Sequence, residues 1–204
     1  MITTRNARRG RPGRGAIGLT CALTFAVPVQ ADYDPSQYPA YETCALCHGL
    51  FGVSHTAKFP NLAGQRPAYI EAQLAAFVSG ERTNDGGQMS AIVTELQPED
   101  FPVVVAWFST QDPPAPTPAA DTAPGGAVFA DLGCGGCHQT GADGPVTVPY
   151  LTAQHPGYLA KQMTDFREGR RAARGAEDVH RAALSLPDET LAKIAAYLGA
   201  QERR

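Results

Sequence analysis

Two five-residue stretches govern what this chain can become: Cys44-Ala-Leu-Cys47-His48 and Cys134-Gly-Gly-Cys137-His138. Both have the form C-x-x-C-H, the spacing at which a c-type haem is attached. Two thiols add across the two vinyl groups of the porphyrin, and the next residue turns its imidazole onto the iron as proximal ligand. A single copy would equally suit a redox dithiol, or half of a zinc site followed by an unrelated histidine. Two copies, 90 positions apart in similar surroundings, argue against that. The expectation is two covalently attached c-type haems on Cys44, Cys47, Cys134 and Cys137, with His48 and His138 on the irons.

Cysteine usage sharpens the point. The chain has five cysteines, and the fifth, Cys21, falls in an N-terminal export signal. Arg5, Arg8, Arg9, Arg11 and Arg14 form a basic stretch, residues 16–29 are apolar, and Val29-Gln30-Ala31 is a small-x-small cleavage site. The apolar run is too short to span a bilayer comfortably. The reading is a cleaved signal peptide over residues 1–31 and a periplasmic mature chain with no thiol outside the two motifs. Removing those five arginines from 17 basic residues leaves 12 against 20 acidic ones. An acidic surface disfavours nucleic acid and anionic membrane, and it favours a redox partner with a basic docking face. Membrane contact is expected only through partner complexes.

The mature chain is a repeat. Leu62-Ala-Gly-Gln-Arg-Pro-Ala-Tyr69 parallels Leu151-Thr-Ala-Gln-His-Pro-Gly-Tyr158, and the helical patterns that follow stay aligned at an offset of 89. The last helical segments align at 90, with Trp107 matching Tyr197. A Pro-rich stretch around residues 112–123 separates the halves and reads as a semi-rigid spacer. Each half predicts a short helix running into C-x-x-C-H, and then a Gly/Pro-rich loop. Next comes a helix opened by Pro67 or Pro156 and stopped by Gly80 or Gly169. A loop then leads to a last helix over residues 98–109 or 187–201. Ile70, Leu74, Phe77 and Val78 share one helical face, and no strand pattern is present. The expected boundaries are a first domain over 32–111, a linker over 112–123 and a second domain over 124–204.

With these motifs in place the chain resembles the diheme cytochrome c4 family. The likeness rests on both C-x-x-C-H motifs, Leu-Ala-Gly-Gln-x-x-x-Tyr, Gln-Leu-x-x-Phe-x-x-Gly-x-Arg and the terminal helix. It implies an all-α fold of two tandem class I cytochrome c domains related by a pseudo-two-fold, with haems facing each other. It also implies periplasmic electron transfer and a distal methionine before the last helix.

In the first domain Met89 occupies that place, 41 residues beyond His48, in the loop Asn84-Asp-Gly-Gly-Gln-Met-Ser. His55, seven residues past His48, reads as an exposed loop residue. The second domain departs from the pattern. Its loop, residues 172–182, contains no methionine, and His180 stands 42 residues past His138. His180 is therefore the expected second ligand there, against an open or weakly ligated iron. Met163 replaces Leu74 and reads as core. His155 replaces Arg66 and reads as lying near a propionate or at the surface.

The leading expectation is an electron carrier and not an enzyme, passing electrons from a dehydrogenase or bc1-type complex to an acceptor such as a terminal oxidase. The alternatives are the cytochrome subunit of a sulfur-compound or alcohol dehydrogenase, and a small diheme enzyme with an open site on the second iron. Lobe one is strongly acidic, with nine acidic and three basic residues from 32 to 109, whereas residues 122–204 carry nine of each. Arg167, Arg170, Arg171, Arg174 and Arg181 read either as a solvated helix end pairing with propionates or as a docking patch.

Overall fold

The computed structural model describes residues 38–138, 147–172 and 177–203. The expected signal segment, Cys21 and Arg174 lie outside them. Among the described residues all regular structure is helical: α1 (Tyr41–His48), α2 (Pro67–Val78), α3 (Gln88–Ile92), α4 (Asp100–Ser109), α5 (Ala123–Asp131), α6 (Gly135–His138), α7 (Pro156–Arg167), α8 (Glu177–Leu184) and α9 (Asp188–Gly199). No helix there is long and apolar enough to cross a membrane.

The helices close into two similar lobes. In the first, α4 packs on α1 and α2. Its core holds Ile70, Leu74, Phe77, Val93, Val104 and Phe108 together with Cys44. In the second, α9 packs on α5 and α7 around Leu159, Ile194, Ala195 and Leu198. Phe108 and Leu191 are almost fully buried, and each such side chain contributes about 1.5–3 kcal/mol over leaving it exposed. Gly125 permits the α5–α9 crossing, because a Cβ there would lie 2.0 Å from the Lys193 carbonyl oxygen.

Proline opens α2 and α7 at the expected positions, since its missing N–H has no partner in a first turn anyway. Two local expectations change. Val78, placed on the core face of α2, is exposed because the helix ends on it and the chain turns away at Gly80, φ +73°. The stretches read as ligand loops hold short helices, α3 and α8. Alpha-3 is started by the left-handed Gly87, and α8 carries Glu177 and Asp178 in its first turn, where acids suit the helix dipole. From residue 112 to 120 the chain has no helix. It is nonetheless anchored, with the Thr117 N–H donating to the Gly199 carbonyl at 2.8 Å.

The lobes meet through a buried polar network that respects the repeat. Arg82 donates to Gln73 Oε1 (2.8 Å) in its own lobe and to the Tyr158 hydroxyl (3.1 Å) in the other. Its counterpart Arg171 donates to Gln162 Oε1 (2.6 Å) in its own lobe and to the Tyr69 hydroxyl (3.0 Å) across the interface. Arg82 stacks 4.6 Å from the centre of Phe77, and Arg171 lies at the same distance over Phe166. The guanidinium of Arg203 bridges the lobes, donating to the carbonyls of the equivalent residues Ala63 (2.6 Å) and Thr152 (2.9 Å). The polar atoms are thus largely satisfied, which is the condition for burying them at tolerable cost.

Candidate haem sites

Each histidine expected as a proximal ligand ends a helix. His48 closes α1, with Gly49 in a left-handed conformation just beyond it. The His48 Nδ1 lies 2.8 Å from the Pro60 carbonyl oxygen, and the His138 Nδ1 lies 3.0 Å from the Pro149 carbonyl oxygen. A carbonyl only accepts, so Nδ1 carries the proton and Nε2 keeps a bare lone pair for a metal. Burial lowers the pKa of both imidazoles, opposed by these carbonyl bonds and aided by Arg82 at His48 and by His180 and Arg66 at His138. Both rings are therefore neutral at pH 7, the form that ligates. Cys44 is buried, and burial pushes its thiol up to about 11. Cys47 and Cys134 are half-buried and Cys137 is exposed, and none of the four is paired in a disulfide.

In lobe one Met89 packs against the same apolar cluster that contains Cys44. Asp85 sets its position by accepting from the N–H groups of Met89 and of Ser90, the latter at 3.1 Å. Burial works against the Asp85 charge, but bonds from the Ser90, Gly87 and Met89 N–H groups outweigh it and hold the carboxyl below its usual pKa.

In lobe two His180 projects from α8. Its ring is nearly parallel to Phe166, at 6.0 Å and 14°, and its centre is 5.9 Å from that of His138. Its Nδ1 is buried without a hydrogen-bond partner. Two imidazoles sharing one metal, with metal–nitrogen distances of about 2.0–2.1 Å, have ring centres roughly 6 Å apart. The donor sets present in both lobes therefore fit a haem iron.

The comparisons with known proteins agree. The Cytochrome c family model matches residues 122–201. The cytochrome c4 of Pseudomonas aeruginosa is 32% identical over 191 residues, covering 88% of this chain and 94% of that protein. The chain belongs to the cytochrome c4 family. It is also 29% identical over 199 residues to a thiosulfate dehydrogenase electron acceptor of Thiomonas intermedia, covering 91% of this chain and 89% of that protein. The cytochrome c4 structure of Acidithiobacillus ferrooxidans superposes with a TM-score of 0.68 at 27% identity, covering 78% of this chain and 99% of that one. As a cytochrome c4, the chain is a diheme c-type cytochrome of electron transport, with two covalently bound haems.

Other expected positions sort themselves around these sites. His55 is exposed, as read from its loop. Met163 packs on the lobe-two core. His155 is half-buried at the lobe interface, its Nε2 3.0 Å from the Ser54 carbonyl oxygen. The described arginines of the expected cluster are engaged within their own lobe or across the interface. Arg167 pairs with Asp188 at 2.6 Å, Arg170 with Asp165 at 2.9 Å, Arg181 with Asp178, and Arg171 belongs to the buried network.

Sequence reasoning missed a second tier of site residues in this cytochrome c4. The Gln154 side chain clamps the Asn61 backbone, accepting from its N–H at 2.8 Å and donating to its carbonyl at 2.9 Å. Gln65 clamps Tyr150 in the same way, at 2.9 and 3.0 Å. Both glutamines were visible as repeat positions, but their partners lie about 90 residues away on the backbone, where no local pattern points.

Proposed function

We propose that this cytochrome c4 is a periplasmic electron carrier with unlike haems, His48/Met89 in lobe one and His138/His180 in lobe two. The 5.9 Å spacing of the His138 and His180 rings, with His180 Nδ1 buried and unpartnered, carries this reading. Cys44 and Cys47 hold the first haem, and Cys134 and Cys137 the second. When bound, the haems supply one-electron chemistry. With both axial positions filled, no open position remains for a substrate, so the chain is a carrier and not an enzyme. The division is a cleaved leader over 1–31, lobes over 32–111 and 124–204, and a linker over 112–123.

Imidazole favours ferric iron more than thioether does. The second site is then the lower in potential, and electrons enter at lobe two and leave from lobe one. The acidic first lobe suits an acceptor with a basic docking face, such as a terminal oxidase. A redox titration followed by optical and paramagnetic resonance spectra tests the whole reading. Two haems are expected, one His/Met and one His/His, with the His/His centre lower. A five-coordinate second iron, or the opposite order of potentials, overturns it.

A second reading has its own support in the likeness to the Thiomonas intermedia electron acceptor. The donor is then a thiosulfate-oxidising dehydrogenase, and such an enzyme would reduce the purified protein directly at a rate that saturates with its concentration.

A further inference from the structure

We propose that each proximal histidine is positioned from the opposite lobe: Gln154 of lobe two governs His48, and Gln65 of lobe one governs His138. This rests on the proximal ligand assignment above. The carbonyl that receives the His48 Nδ1 proton belongs to Pro60, and the next residue, Asn61, is the one whose N–H and carbonyl Gln154 grips. The carbonyl that receives the His138 proton belongs to Pro149, and the next residue, Tyr150, is gripped by Gln65.

The geometry leaves the prolines little freedom. Both glutamines are 4% exposed, and each side-chain oxygen also accepts the N–H of its own successor, Arg66 at 3.0 Å and His155 at 3.0 Å. A clamp fixing both polar groups of one peptide residue limits rotation of the unit before it. Asn61 is tied further, with its side chain accepting from the Ser54 N–H at 2.9 Å and donating to the Ala153 carbonyl at 3.1 Å. Tyr150 is instead covered by the guanidinium groups of Arg66 (4.4 Å) and Arg203 (5.6 Å). Because the Nδ1–H···O bond orients a ligating imidazole and raises its basicity, the group that holds the carbonyl tunes the metal. Each lobe therefore sets its neighbour's potential by a mechanical route, separate from the charge on the neighbour's iron.

The test uses the full holoprotein. Gln65→Met and Gln154→Met keep the volume and remove the clamp. The readouts are the potential of each haem and the Nδ1 proton resonances of His48 and His138 in the reduced protein. Gln65→Met is expected to weaken the His138 bond and raise the second haem's potential, changing its ferrous-to-ferric ratio at fixed potential by about threefold to tenfold. The His48 resonance and the first haem stay put. Gln154→Met gives the converse. If Gln65→Met fails to fold, Gln65→Glu keeps an acceptor for the Tyr150 N–H and replaces the donor to its carbonyl with a carboxylate oxygen, and the His138 resonance is expected to shift in that variant too. Effects confined to the haem of the mutated lobe, equal effects on both, or none overturn the proposal. A wild-type protein whose His48 and His138 protons carry no ring-current shift from a haem overturns instead the ligand assignment.

Discussion

The Arg171 guanidinium of the second lobe donates to the Tyr69 hydroxyl of the first at 3.0 Å, and Tyr69 is replaced by Tyr158 when Arg82 makes the equivalent bond. Burial opposes ionisation of Tyr69, but Arg171 and Arg82 outweigh it and lower its pKa. Arg171→Met removes a charged donor from a buried network and takes one hydrogen bond from each of Tyr69, Gln73 and Gln162. A loss of about 2–3 kcal/mol is expected in denaturant unfolding, since hydrogen bonds to charged groups contribute about 1.5–3 kcal/mol. Arg181→Met, at an exposed pair with Asp178, is expected to cost under about 1 kcal/mol.

Asp165 gives the interface a pH dependence. Its side chain is 1% exposed and accepts from Asn84 of the other lobe at 2.6 Å, from Arg170 at 2.9 Å and from Lys161. Burial favours its neutral form, but the bonds from Lys161, Asn84 and Arg170 outweigh this and lower its pKa. A depressed carboxylate contributes stability that is full above its unfolded pKa of about 3.9 and is lost as pH falls through the folded value. Wild-type stability should drop below about pH 4, and Asp165→Asn should be less stable at pH 7 with a shallower acid limb. Equal slopes in the two acid titrations would rule this out.

The ligation proposed for the second haem turns on His180. His180→Ala should change its paramagnetic resonance spectrum and open the reduced iron to carbon monoxide, while His180→Met should raise its potential toward that of the first. An unchanged spectrum in the alanine variant would remove His180 from the ligand set.

Asp85 anchors α3, the helix that carries Met89. Asp85→Ala frees the Met89 and Ser90 N–H groups, a loss of about 0.5–2 kcal/mol by analogy with helix caps. The thioether-to-iron absorption of the oxidised protein should weaken and vanish at lower temperature than in wild type.

Gly125→Ala would place a methyl group against the Lys193 carbonyl and force α5 from α9. A destabilisation of at least about 1–3 kcal/mol, read as a lower melting temperature, is expected from overpacking.

How far the sequence went depends on the range of the information. The C-x-x-C-H motifs, the proline-opened α2 and α7 and the doubled lobe are local patterns, and the structure follows them. Helices α3 and α8 were read as loops because Gly86, Gly87 and a run of arginines mask short helical segments whose starts depend on Asp85 or on first-turn acids. Arg203 lay beyond the last expected helix, yet it bridges both lobes. His155 followed the same rule: its partner, the Ser54 carbonyl, is set by how the lobes pack and by nothing near it in the chain.

The pinning of the linker by Thr117 on Gly199 alters what that segment is for. With the lobes already joined by Arg82, Arg171, Arg203, Gln65 and Gln154, the covalent tether is expected to be dispensable once folding is complete. A protease cut in the proline-rich stretch should leave a nicked two-chain protein that still sediments as one particle. The peptide connection then matters mainly during assembly, when it spares the halves a bimolecular search for each other.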